Sequence, residues 1–385
     1  MKFAHIADCH LGSWRQPELQ ALNMESFKKA IDKSIEENID FVLITGDLFD
    51  SAYPPIEILA ETFFQLKRFK EKEIECYIIS GSHDYSASGK TFLSVLEKAG
   101  FCKSCYRFEE KNDKIILNPI MHKNIAIYGY PGKKSSLEIQ ELRKIEINDT
   151  PGLFKIFALH TSIKDAVKNL PIDSVDENEL PTADYYALGH LHIHYEKGKF
   201  VYAGPTFPNN FQELEELKYG SFVIVKTDPL QIERKLIKIK DVELIKIEID
   251  SALMATDKIL REIDNRDIKD KIILLKLEGT IKTGKIADIN FKEIDAAVKR
   301  KNGYVLLKSI SKLKIEEPQV QIEVEDMDKL EEEVIKNYNT QGGKFQNMLP
   351  LVINSLALEK NEGETNTVFS DRLFTDINKL LNIKS

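Results

Sequence analysis

Tryptophan and cysteine are scarce in this chain, with one Trp and four Cys among 385 residues. The cysteines stand at 9, 76, 102 and 105, too few and too scattered for the disulfide framework of a small secreted protein. "CKSC" at 102–105 has zinc or redox spacing, but no second CxxC and no nearby histidine pair completes a tetrahedral site. These thiols are expected to be buried and idle. No apolar run approaches the ~20 residues of a membrane span, and the opening "MKFAHIADCH" lacks the apolar core and cleavage site of a secretory signal. An intracellular protein with no membrane attachment is expected. Positive charge is not in excess either: 54 Lys and Arg against 62 Asp and Glu give a net charge of −8. Global electrostatics therefore do not favour nucleic acid, and only a local basic stripe or a metal-lined groove remains to hold a phosphate backbone.

What is present suits a folded chain of two or three domains, with 42% hydrophobic and 30% charged residues. Residues 1–240 alternate strand and helix signals. Buried-strand runs at 2–7, 40–45 and 76–80 are separated by helical stretches at 22–37 and 55–71. Further strand runs follow at 124–130, 154–160, 185–189, 200–204 and 220–227. A βαβαβ opening followed by a strand-rich half predicts an α/β sandwich of two sheets. The segment 241–315 repeats a β-α-β-α-β order and predicts a small separate α/β domain. Residues 316–385 read as an acidic linker running into amphipathic helices at 350–360 and around Phe369, Leu373, Ile377 and Leu380. Neither helix can bury its apolar face alone, which suits a partner-docking tail.

Histidine is also uncommon, with eight in the chain, yet "YYALGHLHIHY" at 185–195 carries three at alternate positions. On a strand, His190, His192 and His194 would share a face. Similar residues follow the other strand runs. Residues 2–7 lead into Asp8 and His10, 40–45 into Asp47 and Asp50, and 76–80 into Ser82, His83 and Asp84; 154–160 ends on His160. Strand C-termini are where open α/β sheets bind ligands. Asp and His together, without cysteine at the matching positions, suit manganese, iron or zinc. They are numerous enough for two ions, with Asp47 as the bridging carboxylate. Two such ions clamp a phosphate and activate water, which predicts phosphoester hydrolysis.

The ordered motifs D-x-H, G-D-x-x-[DH], G-[NS]-H-[DE], a lone His after a strand and G-H-x-H resemble the calcineurin-like metallophosphoesterases over about 200 residues. "MKFAHIADCHLG", "FVLITGDLFD", "YYALGHLH" and "VYAGPTFPNN", followed by a small α/β unit and a tail, are similar to the SbcD-type nucleases of double-strand-break repair. The resemblance implies a two-sheet metallophosphoesterase sandwich over 1–240, a capping domain over 241–315, and a tail over 316–385 that docks a zinc-hook coiled-coil ATPase. It implies one Mn2+ held by Asp8, His10, Asp47 and His192, and a second held by Asp47, His160, His190 and Ser82. His83 would be the proton donor or transition-state stabiliser, with Asp84 orienting its ring, and His194 a bystander. It further implies a homodimer, through the helix at 55–71, that cuts DNA ends, hairpins and single strands in the nucleoid.

Two positions depart from the family pattern. Ser82 replaces the usual Asn with a shorter, weaker ligand, which predicts a looser second site. Asp50 replaces the histidine of close relatives, which predicts weaker phosphate positioning and reduced exonuclease activity. Trp14 and Arg15 are the expected contacts to the sugar–phosphate backbone. A phosphodiesterase or phosphatase on small phosphoesters, or a DNA-end tether that cuts weakly or not at all, are the competing expectations.

Overall fold

The apolar runs that precede the Asp and His motifs are strands buried on both faces, as in Phe41–Thr45 and Tyr185–Gly189. In the computed structural model, which describes residues 1–86, 91–168, 171–316, Leu356, Lys360, Glu364 and 366–381, they fall into two six-stranded sheets. In the first sheet, Lys2–Ile6, Phe41–Thr45 and Glu75–Ile79 run parallel, with Phe3 opposite Phe41 and Phe41 opposite Glu75. Lys103–Ser104 extends one edge, and Gly220–Thr227 and Leu230–Ile237 add antiparallel strands at the other. In the second sheet, Ile125–Tyr130, Phe154–His160, Tyr185–Gly189 and Phe200–Ala203 are parallel, edged by the antiparallel Ile120–His122 and His194–Lys197.

The sheets pack face to face. Phe3, Phe41, Leu43, Tyr77 and Val223 from the first meet Ile127, Ile156, Ala158, Tyr185 and Val201 from the second in one buried layer. The helices Pro17–Glu36 and Ile56–Glu71 cover the outer face of the first sheet with Phe27, Ile31, Leu59 and Leu66. The first helix begins five residues before the expected 22, because Pro17 sits in the first turn, where its missing N–H and fixed φ cost nothing. Each fully buried Phe or Leu contributes roughly 1.5–3 kcal/mol, so these layers hold the strand ends in place. A small third sheet of Phe108–Lys111, Lys114–Leu117 and Ile145–Ile147 was not legible in the sequence, because its first strand is exposed throughout.

Residues 242–315 form the expected β-α-β-α-β order: Val242–Glu248, Ala252–Asp264, Ile272–Ile281, Phe291–Arg300 and Val305–Ile315. Their three-stranded sheet has its own core around Ile259, Leu275, Ile294 and Val298. It meets the body through a second cluster, in which Ile272, Leu274 and Leu307 touch Trp14, Leu19, Leu22, Phe207 and Leu214. Met1–Lys314 is one compact unit and Ile315–Ser385 another. Within the second, Asn366–Leu381 is helical, with Phe369, Leu373 and Ile377 half-buried and Arg372 paired with Glu364. The expected linker at 317–333 and, apart from Leu356 and Lys360, the helix at 350–360 lie outside the described residues. Among the described residues no helix is long and apolar enough to cross a membrane. All four cysteines are buried and unbridged, and burial pushes the Cys102 thiol up to about 12.

This packing corrects the expectation for Trp14. Its ring is 9% exposed, lies edge-on to Phe207 and donates from Nε1 to the Pro208 carbonyl at 3.0 Å. It is a core residue joining the body to the 242–315 sheet and is not presented to a DNA backbone; Arg15 beside it is exposed. Trp14→Ala should therefore destabilise the chain by about 3–5 kcal/mol in urea unfolding. Unchanged stability with weakened DNA binding would restore the surface role.

Candidate metal centre

The loops after the five strands converge. The loop from Lys2–Ile6 and the loop from Phe41–Thr45 are laced by backbone bonds, with Asp8 N donating to Gly46 O at 3.2 Å, His10 N to Asp47 O at 2.9 Å and Leu11 N to Leu48 O at 3.0 Å. The second sheet joins through side chains. His160 Nδ1 lies 2.9 Å from the Thr45 carbonyl, and His190 N donates to Asp8 Oδ1 at 2.9 Å. Two glycines permit this closeness. A Cβ on Gly46, at φ +91°, would sit 2.3 Å from His160 Nδ1, and one on Gly81 would sit 2.2 Å from Asp47 Oδ1.

Three groups of side chains each bring one nitrogen or oxygen per residue within 4.8 Å of one another: Asp8, His10 and His192; Asp8, Asp47 and His160; and His10, Asp50 and His83. His10 Nε2 lies 3.0 Å from His192 Nε2 and 3.5 Å from Asp47 Oδ2, and His160 Nε2 lies 3.2 Å from the same oxygen. Ser82 Oγ stands 3.5 Å from Asp47 Oδ2. The His190 ring is 5.1 Å from that of His160, between centroids. His190 and His192 do not arrive on one strand face as expected. Tyr185–Gly189 ends before them, His190 turns at φ 98°, and a new strand starts only at His194. His194 is in none of the three groups.

The outer nitrogens of the rings settle what the inner ones can do. A carbonyl only accepts, so Thr45 O holds the proton of His160 on Nδ1. Glu213 Oε1 lies 2.9 Å from His192 Nδ1 and Asp50 Oδ1 3.3 Å from His10 Nδ1, which sets the same tautomer in both. Three Nε2 lone pairs are thereby turned toward Asp8 and Asp47, and two of them face each other at 3.0 Å. Asp8 Oδ2 and His160 Nε2 are buried without a hydrogen-bond partner. Such an arrangement repels itself unless positive charge lies within it. A proton can be that charge: burial pushes the His160 ring toward neutrality, yet Asp47 and Asp8 outweigh it and hold its pKa up at about 10, so that without a cation Nε2 takes up a proton. Burial likewise works against the Asp47 carboxylate, but His160 and His10 hold it well below the usual carboxylate range. His190, buried near His160, is driven down to about 4 and so stays neutral. A donor set of hard oxygens and imidazole nitrogens that demands positive charge fits divalent cations of the manganese, iron or zinc kind.

Asp84 differs from expectation. It does not meet the His83 ring, whose Nδ1 instead lies 2.8 Å from the Asp50 carbonyl. Asp84 is buried and accepts from three backbone amides, Leu48 N and Gly81 N on Oδ2 and Phe49 N on Oδ1. It clips together the loops that carry Asp47 and His83. Burial, with Asp47 nearby, lifts its carboxyl to about 6. Two other residues escaped the sequence reading. Glu213 is one; its N-cap spacing from Asn210 is visible in the sequence, but its reach to His192 is not. Lys134 is the other. It lines a cavity of about 340 Å³ beside Asp50, Ser82, His83 and Tyr85, and no motif marks it.

Residues 1–194, just over half the chain, match the model of the calcineurin-like phosphoesterases, and the chain belongs to that family of metal-dependent phosphoesterases. Its relatives include the DNA double-strand break repair protein Mre11 of Archaeoglobus fulgidus, 27% identical over 317 residues that span 73% of this chain and 69% of that protein. The Mre11 of Methanocaldococcus jannaschii is 30% identical over 285 residues, 70% of each chain. YhaO of Bacillus subtilis, an uncharacterized metallophosphoesterase, is 28% identical over 237 residues, 57% of this chain and 56% of that one.

Because Asp84 serves three buried amides, Asp84→Ala should cost about 3 kcal/mol or more in chemical denaturation, each unpaired amide being worth about 1–3 kcal/mol. Asp84→Asn, which keeps an accepting oxygen, should cost less. Equal, small losses would return Asp84 to a role outside the loops.

Proposed function

We propose that this protein is a manganese-dependent DNA nuclease that processes chromosomal double-strand breaks inside the cell. The observation that carries the reading is the set of three Nε2 lone pairs turned on two buried carboxylates. The family and the Mre11 relatives supply the substrate class. Asp8, His10, Asp47 and His192 would hold one cation, and Asp47, His160, His190 and Ser82 the other. When bound, such a pair supplies charge stabilisation at the phosphoryl oxygens and acidifies water.

The protein's own groups do the rest. Asp50 fixes His10 through its carboxylate and His83 through its carbonyl. With Nδ1 of His83 held there, Nε2 is the atom that exchanges a proton, and the half-exposed ring borders the cavity. His83 is thus the donor to the leaving oxygen. Lys134 in the same cavity meets a phosphate of the strand, and Arg15 is a second backbone contact. Asp50 puts negative charge where that phosphate lies, which weakens end-directed digestion, and the short Ser82 side chain leaves the second cation less tightly held.

The chain works as a homodimer with a zinc-hook coiled-coil ATPase. The helix Ile56–Glu71 supports the dimer, since Ile56 and Phe64 are 78% and 59% exposed although the opposite face is in the core. The tail helix supports the ATPase, docking its apolar side on that partner.

With Mn2+, the protein should cut both linear duplex and circular single-stranded DNA. His83→Ala should lose roughly 10²–10⁴-fold in rate while still taking up the metal by calorimetry. Cutting of the circle alone would mean that Asp50 has removed end-directed digestion. Hydrolysis of bis-p-nitrophenyl phosphate with neither DNA cut would replace the nuclease by a small-phosphoester enzyme, and DNA binding without any hydrolysis would leave a tether. In sedimentation, Phe64→Glu should yield monomers. Removal of 366–381 should keep the dimer and lose the ATPase on co-purification; the reverse pattern would overturn both interfaces.

A further inference from the structure

The helix Phe211–Leu217 is seven residues long, and its Glu213 reaches back to the metal centre. Asn210 caps this helix, its Oδ1 accepting from Glu213 N at 2.9 Å. In an ordinary N-terminal box the glutamate at this position would only return the favour to the backbone. Here the two carboxylate oxygens divide the work. Oε2 accepts from Asn209 N at 2.8 Å, and Oε1 lies 2.9 Å from His192 Nδ1 while also taking Asn210 Nδ2. The carboxylate is mostly buried, 15% exposed against 23% for the imidazole. The helix is anchored from its other side. Leu214 is buried against the 242–315 sheet, and Glu215 takes Lys276 Nζ at 2.7 Å.

We propose that Glu213 is a positioning residue for the metal centre: it fixes the proton of His192 on Nδ1 and aims Nε2 at Asp8 and His10. This inference rests on the reading of His192 as a ligand. A carboxylate on the outer nitrogen of a metal-binding histidine fixes its tautomer and raises its basicity, and its loss typically weakens metal affinity 10–100-fold. Among the described residues, Glu213 is the group that meets His192 Nδ1, so the ring has no second anchor of that kind once it is removed.

Mn2+ titration of the full chain by calorimetry, with thermal unfolding of the metal-free protein alongside, tests this. Glu213→Ala should weaken one of the Mn2+ sites 10–100-fold, and Glu213→Gln, whose amide oxygen still accepts from Nδ1, should recover part of the loss. Asn210→Ala should lower the melting temperature without moving the affinity, because it removes the helix cap and leaves the carboxylate on His192. If Glu213→Ala and Asn210→Ala lower stability alike and neither moves Mn2+ affinity, Glu213 is a capping residue only and the proposal fails. His192→Ala separates the two levels. Unweakened Mn2+ binding in that variant would overturn the ligand reading itself, whereas weak binding there with unaltered binding in Glu213→Ala would overturn the positioning role alone.

Discussion

Two carboxylates, Asp8 and Asp47, are buried where the ends of two sheets meet, and the rest of this end of the molecule is arranged around their charge. Ionised carboxylates removed from water are tolerated only when matched. The protein answers with histidines whose outer nitrogens are already committed: His160 to a carbonyl, His192 and His10 to carboxylates. In their neutral form, rings of that tautomer turn lone pairs inward and add to the demand for positive charge, which a proton on His160 or a cation can meet. The same groups that would be a folding liability in an apolar core are therefore a reservoir of cation affinity. Burial of the apolar layer between the sheets, with Phe3, Phe41 and Tyr185 at its centre, sustains that unfavourable assembly.

The backbone carries a related cost. Asp8, His10, Asp47 and His190 all have positive φ, at 50°, 42°, 48° and 98°. Such conformations cost non-glycine residues of order 1–3 kcal/mol each and persist only where surrounding bonds over-determine them. The bonds are present: the backbone ladder between the first two loops, the Asp84 clip on Leu48, Phe49 and Gly81, and the Asp8 oxygen on His190 N. Asn23, buried in the helix Pro17–Glu36, adds a further hold by donating to the Cys9 carbonyl at 2.8 Å. Side-chain direction at this site is set by backbone geometry first and by rotamer choice second.

Much of this was legible in the sequence because two signals coincide. An apolar run of five or so residues marks a buried strand, and an Asp or His just past it marks the strand's C-terminal end. Position in the chain is all that such signals report. They could not show that Trp14 turns inward onto Phe207, since a lone aromatic in a polar loop reads the same either way. Asp84 adjoins His83 in sequence yet bonds to amides some 35 residues earlier, and local spacing carries no trace of that. Glu213 was hidden differently: its helical position accounts for it fully, so nothing prompts a search for His192. The alternation of His190, His192 and His194 predicted a shared strand face, whereas the strand ends at Gly189 and a bend at His190 sets its ring beside His160 and that of His192 beside His10.

Asp50 shows how one substitution redistributes charge at such a centre. Its carboxylate lies 3.3 Å from His10 Nδ1 and its carbonyl 2.8 Å from His83 Nδ1, so a single residue serves two rings by different atoms. The carbonyl contact would survive almost any side chain. The carboxylate contact would not: it fixes the proton of His10 on Nδ1 and leaves Nε2 facing Asp47 and His192. A histidine at this position could present positive charge to a phosphate but could not donate an anion to His10. The aspartate therefore commits its charge to the His10 ring rather than presenting a cation to the cavity beside it. In the proposed two-cation arrangement, where Ser82 would offer only a short hydroxyl 3.5 Å from Asp47, that placement of charge would be the useful one.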